Sequence, residues 1–161
     1  MRSTARGALV ALILLLASSA PAFADTDRPM LGQFSLTVVP ADPRCGPDAL
    51  TLGFTGVGNA THLGSIFGNA TNCTEFTLGT EAVDIWDGLA TFVAADGSTL
   101  TTAYAGIQQA PVAGIASVET THTVLGGTGR FAGATGLWTL RGEVDFVSGT
   151  SDGSIAGWIR Y

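Results

Sequence analysis

The stretch "GGTGRFAGATGLWTLRGEVDF", residues 126–146, begins like a nucleotide-binding loop and ends like a β-strand. Gly127, Gly129 and Ala132 satisfy the spacing G-x-G-x-x-G/A of the dinucleotide fingerprint. That fingerprint works only where a strand leads in and a helix leads out, because the helix N-terminus holds the pyrophosphate. Val124 and Leu125 can end a strand, so the first condition is met. The second fails. Gly133 and Gly136 would each cost a helix about 1 kcal/mol relative to alanine, and from Leu137 onward apolar and polar residues alternate. Trp138, Leu140, Val144 and Phe146 fall on one face of that strand, and Thr139, Arg141, Glu143 and Asp145 on the other. The glycines therefore build a turn and a close crossing into a strand, and no nucleotide or other cofactor is expected.

The same period-two alternation recurs along the chain, with turn signals every ten residues or so. "GQFSLTVV" (32–39) sets Phe34, Leu36 and Val38 to one side, and "DALTLGFTG" (48–56) does the same with Leu50, Leu52 and Phe54. "LATFVAADGSTLTTAYAGI" reads as a hairpin about Asp96-Gly97, two residues that take a positive φ cheaply. "ASVETTHTVL" (116–125) is rich in Thr and Val, as a pleated surface favours. "GTSDGSIAGWIRY" predicts a turn at Ser151-Asp152-Gly153 before a last strand. About eight strands in one all-β domain leave a single antiparallel β-barrel or a β-sandwich. Glycines inside strands (Gly53, Gly56, Gly64, Gly68, Gly142 and Gly157) favour the barrel, where strongly coiled strands approach closely. Closure also removes edges that a lysine-free chain has few charges to protect.

The N-terminus, "MRSTARGALVALILLLASSAPAFA", has Arg2 and Arg6, an apolar run, and Ala22-Phe23-Ala24, the three parts of a secretory signal peptide. Its apolar run is shorter than the ~20 residues that span a bilayer. Residues 1–24 are thus expected to be a leader and residues 25–161 a secreted domain. In that domain five arginines face 13 acidic residues, a net charge of −8. Such a chain repels phosphate backbones and anionic lipid, which excludes nucleic acid and electrostatic membrane docking. Cys45 and Cys73 are expected to pair, since disulfides persist in exported proteins. They do not form a Cys-x-x-Cys redox motif, and two Cys with two His offer no zinc set, so no metal is expected. The chain-entropy model assigns such a bridge about 3 to 4 kcal/mol.

"GGTGRFAGATG" resembles the Gly-Gly-Thr-Gly-x-Phe-x-x-Ala-x-Gly segment of the plant dirigent proteins, and is similar to the Gly-Thr-Gly-x-Phe-x-Gly stretch of allene oxide cyclases. Bacterial secreted relatives of those families carry the same segment. The resemblance covers Gly126 to Gly136 closely and residues 32–161 loosely. It implies an eight-stranded antiparallel barrel, with Phe131 a core anchor at a strand-entry turn and Arg130 on the surface. No catalytic residue carries over, because none of the families' active-site positions is matched.

Two further patterns bear on chemistry. Gly149-Thr150-Ser151-Asp152-Gly153 fits the G-x-S-x-G nucleophile elbow, but a hairpin turn explains it, and both histidines precede it. Glu119, Arg141, Glu143 and Asp145 are the clustered acid–base candidates, with His122 available if the opposite face turns inward; alternation forbids both faces inside. Catalysis by the charged row would put an apolar band outside and so require a homo-oligomer to cover it. Three functions remain open: a barrel that binds a small apolar or phenolic molecule, a cofactor-free isomerase or cyclase of the kind the resemblance implies, and a structural or interaction barrel with a filled core. An open interior of ~300 Å³ with a few convergent polar groups supports the first two. A core packed solid with Phe and Trp supports the third.

Overall fold

Alternation is carried through eight strands: β1 (Arg28–Val39), β2 (Leu50–Ala60), β3 (Gly64–Thr74), β4 (Ala82–Ala94), β5 (Thr99–Gln109), β6 (Ile115–Gly127), β7 (Thr135–Asp145) and β8 (Thr150–Arg160). The computed structural model describes residues 26–75 and 81–161; the leader expected at residues 1–24 lies outside that range. Each strand pairs antiparallel with the next, and β8 returns to β1 in a continuous register from Arg28↔Ile159 to Thr37↔Thr150. The sheet is closed. Closure decides between the two expected architectures, since a sandwich would leave edges and a barrel has none.

The end of the barrel that carries the β6–β7 connection is packed solid. Met30, Leu63, Leu100, Phe131, Trp138 and Ile159 meet there, all fully buried. The glycine-rich stretch shapes this cap. Gly129–Phe131 forms a single 3₁₀ turn, and the Phe131 N–H donates to the Thr128 carbonyl at 3.1 Å. Gly127 crosses so close to β5 that a Cβ there would lie 2.1 Å from the Thr99 carbonyl oxygen. The chain thus doubles back under the barrel and drops Phe131 into its floor, edge-on to Tyr161 at 5.0 Å between ring centres.

One expected turn differs, and one expected strand glycine plays another part. Ser151-Asp152-Gly153 lies inside β8, and the reversal comes earlier, at residues 146–149. The Asp145 carboxylate accepts the N–H groups of Val147 and Ser148 at 2.8 and 3.2 Å, and Gly149 takes a φ of +72°. An Asx turn with a left-handed glycine therefore closes the hairpin before the Asp-Gly pair is reached. That early turn also leaves Phe146 beyond the end of β7. Gly64 opens β3 from a turn, with a φ of +70°, so it relieves no crowding between strands.

The β1–β2 connection is strapped to the wall. Cys45 and Cys73, 28 positions apart, form a disulfide. Beside it the Arg44 guanidinium pairs with the Asp87 carboxylate and donates to Thr71 Oγ1 at 3.3 Å. Cys45→Ser is expected to lower stability by about 3 kcal/mol, because the bridge restricts the unfolded chain. Thermal unfolding of the variant checks this, and the unfolded, unreduced wild type should titrate no free thiol.

Candidate functional site: the barrel interior

Because side chains alternate, the inner surface is set by one parity on each strand. On β5, β6 and β7 it is Tyr104, His122 and Trp138 that share a level, since Tyr104 pairs with His122 and His122 with Trp138 across the ladder. Their rings stack as the register requires. Tyr104 and His122 are 4.5 Å apart at 15°, and His122 and Trp138 are 5.7 Å apart at 11°. Glycine flanks the row on both sides: Gly88 faces Tyr104 and Gly157 faces Trp138. A Cβ at Gly88 would come 2.5 Å from the Tyr104 ring, and one at Gly157 would come 2.4 Å from the Trp138 Cα, so neither strand has room for a side chain beside the row.

The imidazole at the centre is fully engaged. His122 Nδ1 lies 3.0 Å from Thr102 Oγ1, and Nε2 lies 3.1 Å from Thr120 Oγ1. Burial penalises its charged form and brings its pKa down to about 4, so at neutral pH the ring is uncharged. It then has one N–H and one bare nitrogen, and the two threonines serve one each. Tyr104 donates to Asn72 Oδ1 at 3.1 Å, and burial raises its phenol well above the ordinary range, so it keeps its proton. This is a neutral polar ladder set in an apolar wall.

Above the solid floor the packing stops and a cavity opens. It offers about 80 Å³ of room for the centres of water molecules. Its walls are mainly apolar, with Leu36, Leu52, Phe54, Ile85, Phe92 and Leu140 among them. The polar groups that reach it include Asn72, Tyr104, Gln108, Thr120, His122 and Ser151. No charged side chain is among the described residues that line it. The interior thus falls between the two extremes expected. It is not filled, yet it is short of the ~300 Å³ of a drug-sized pocket, because Phe34, Phe92 and Leu140 also lean on the core below.

The charged row lies outside. Arg141 and Glu119 face each other on β7 and β6 and pair through two bonds, Nε to Oε2 at 3.0 Å and Nη2 to Oε1 at 3.1 Å. Those bonds hold the Glu119 carboxyl below its usual range. Glu143 is exposed on the same outer face, and Asp145 is spent on the turn described above. None of these four reaches the cavity, and of the five sequence candidates His122 alone does. The apolar face of β7 turns inward in a single chain, so the exposed apolar band that would have required a second subunit does not arise from this strand. Tyr104, Asn72, Gln108, Thr120 and Ser151 are the interior residues that sequence reasoning missed. Ser151 is buried in the wall, not displayed on an elbow. No side chain among the described residues hydrogen-bonds its hydroxyl, and both nitrogens of His122 are taken by threonines.

No family model matches the chain, and no curated protein matches it. Among the solved structures similar to it are two dirigent proteins. One is the pterocarpan synthase dirigent protein PsPTS1, with a TM-score of 0.43 and 14% identity over 83% of this chain and 96% of that one. The other is the pterocarpan synthase dirigent protein GePTS1, at 0.42 and 14%, over 90% and 99%. Likeness at that level does not bear on what this barrel binds. The interior has to be read from its own residues.

Proposed function

We propose that this is an exported barrel that holds a small, neutral, mainly apolar molecule in its interior, with a single aromatic ring as the group that fits best. The observation that carries this reading is the cavity itself: an apolar wall, a few uncharged polar groups and no ion pair. Such a site rewards burial of apolar surface, by about 25 cal/mol for each Å² removed from water. It penalises an ion, which would lose its hydration with no countercharge to replace it. A disulfide that straps the wall suits life outside the cytoplasm, where it stays oxidised.

Binding is better supported than turnover. The acid–base residues of the interior are a neutral histidine with both nitrogens occupied and a phenol that keeps its proton. A cyclase or isomerase that works by general acid–base catalysis would need at least one of them to give or accept a proton near neutral pH.

The test is calorimetric titration of the purified protein with p-cresol and with cumene, beside the variant Ala70→Leu. Ala70 lines the cavity, so the larger side chain fills it from the wall. Saturable binding to the wild type, weakened at least tenfold in the variant, is expected. Equal binding to both proteins would place the ligand elsewhere and remove the reading.

A further inference from the structure

The cavity holds one polar side chain whose bonding is incomplete in a way that points to its occupant. Gln108, on β5, is 3% exposed and lines the cavity, and its amide nitrogen is sealed from solvent without a hydrogen-bond partner among the described residues; the Trp138 indole nitrogen is likewise unpaired there but does not line the cavity. An amide nitrogen carries two N–H donors, and leaving a buried donor unpaired is unfavourable. Native interiors rarely tolerate that without a reason. The carbonyl end of the same amide is the cheaper one to leave short of partners. The two ends of the amide are almost the same size, so a half-turn about its last torsion presents the donors to the cavity and moves nothing else.

A second group lies in the same cavity. Ser151, on β8, is 4% exposed, and no side chain among the described residues hydrogen-bonds its hydroxyl. Two of the other polar groups are already committed: Tyr104 to Asn72, and His122 to Thr102 and Thr120. An amide donor in want of an acceptor, with a serine hydroxyl on the same cavity and no charged side chain among the described residues that line it, selects a neutral oxygen.

We propose that Gln108, assisted by Ser151, is the specificity-determining residue of the cavity, and that the ligand is a neutral carbonyl compound: a ketone, quinone or lactone oxygen on a compact apolar ring. This rests on the binding reading above and adds to it the polar handle. A carboxylate is rejected because no cation is among the described residues that line the cavity, and Arg44, whose charge reaches Tyr104, is already paired with Asp87. A pure hydrocarbon fits the walls but leaves the Gln108 amide unpaired.

The experiment uses three probes of nearly the same shape, acetophenone, cumene and benzoate, against the wild type, Gln108→Leu and Ser151→Ala. Gln108→Leu should weaken acetophenone about five- to tenfold, the worth of one net hydrogen bond, and leave cumene unchanged. Ser151→Ala should weaken acetophenone by a smaller factor and likewise spare cumene. Benzoate should bind far more weakly than acetophenone to the wild type. Gln108→Met, with circular dichroism on every variant, keeps the comparison open if the leucine variant does not fold. If cumene binds but acetophenone ignores Gln108, or both probes weaken equally, the assignment of Gln108 is overturned and the apolar cavity stands. Benzoate binding as tightly as acetophenone overturns the neutral-carbonyl class. If neither cumene nor acetophenone binds the wild type, the binding reading falls, and this proposal with it.

Discussion

Phe131→Ala is expected to destabilise the barrel by about 3 to 5 kcal/mol, the range for removing a large aromatic side chain from a well-packed core. The ring has no solvent exposure, sits edge-on to Tyr161, and fills the floor beneath Leu63, Leu100 and Ile159. That floor cannot collapse into the vacancy. The 3₁₀ turn holds the backbone on one side, and Gly127 is already pressed against the Thr99 carbonyl on the other. The neighbouring residue supplies the contrast. Arg130 has 40% of its side chain exposed, lies 3.4 Å from the Asp96 carboxylate and donates to the Leu63 carbonyl at 3.2 Å. Arg130→Ala should cost under about 1 kcal/mol, because a half-exposed ion pair is screened by water. Urea unfolding of the two variants separates them. Equal losses would mean that the glycine-rich segment acts as one surface feature and that the aromatic anchor is not what holds the cap.

The barrel was legible in the sequence because its long strands keep their period, and β7 is the clearest case. Trp138, Leu140 and Val144 alternate with charged residues, and that alone decides which face turns inward. β3 is illegible for the same reason run backwards. After Ile66 its inward set is Gly68, Ala70, Asn72 and Thr74, small or polar, whereas its largest apolar residue, Phe67, is 47% exposed on the outer wall. A hydrophobic pattern cannot find a strand whose inner face is kept small to leave a cavity. β4 defeats the pattern differently. A bulge between Ile85 and Gly88, with Asp87 at a φ of +49°, shifts the parity, so that Ile85 and Ala90 both face in. An odd and an even position on one strand cannot share a face until a bulge is admitted.

The site was harder still. The stack of Tyr104, His122 and Trp138 depends on the register of three strands, and nothing in the separate segments states that register. His122 could be placed on the face opposite Glu119, but not beside its neighbours. The charged row drew notice because charges lining an interior would pair and shift their pKa values, although a period-two row of charges is more often the solvated outside of a barrel. In this barrel they lie on the outer wall, where Arg141 and Glu119 form an exposed bidentate pair across two strands. The cavity draws its polar groups instead from Asn72, Gln108 and Ser151, each on its own strand, and the one motif that Ser151 fits, G-x-S-x-G, points to a different chemistry.

The buried histidine has a consequence that can be measured without any ligand. In the unfolded chain His122 should take up its proton near pH 6.5, whereas in the barrel it does so only near pH 4. Between those values the unfolded state binds more protons than the folded state, so stability must fall as the pH is lowered through that window. The contribution is fully present above about pH 6.5 and is lost progressively toward pH 4, below which both states are protonated. A difference of that size corresponds to about 3 kcal/mol. Carboxylates titrate in the lower part of the same range, so the wild type alone is not a sufficient measure. His122→Phe keeps a ring between Tyr104 and Trp138 and removes the titrating group, which isolates the effect. The stability of the wild type relative to this variant should decline by about 3 kcal/mol from pH 7 to pH 4. The imidazole carbon proton of His122, followed by magnetic resonance over the same range, should shift with a midpoint near 4. A midpoint near 6.5, or a relative stability that does not change with pH, would mean that water reaches the ring. The uncharged interior on which the binding reading depends would then be lost as well.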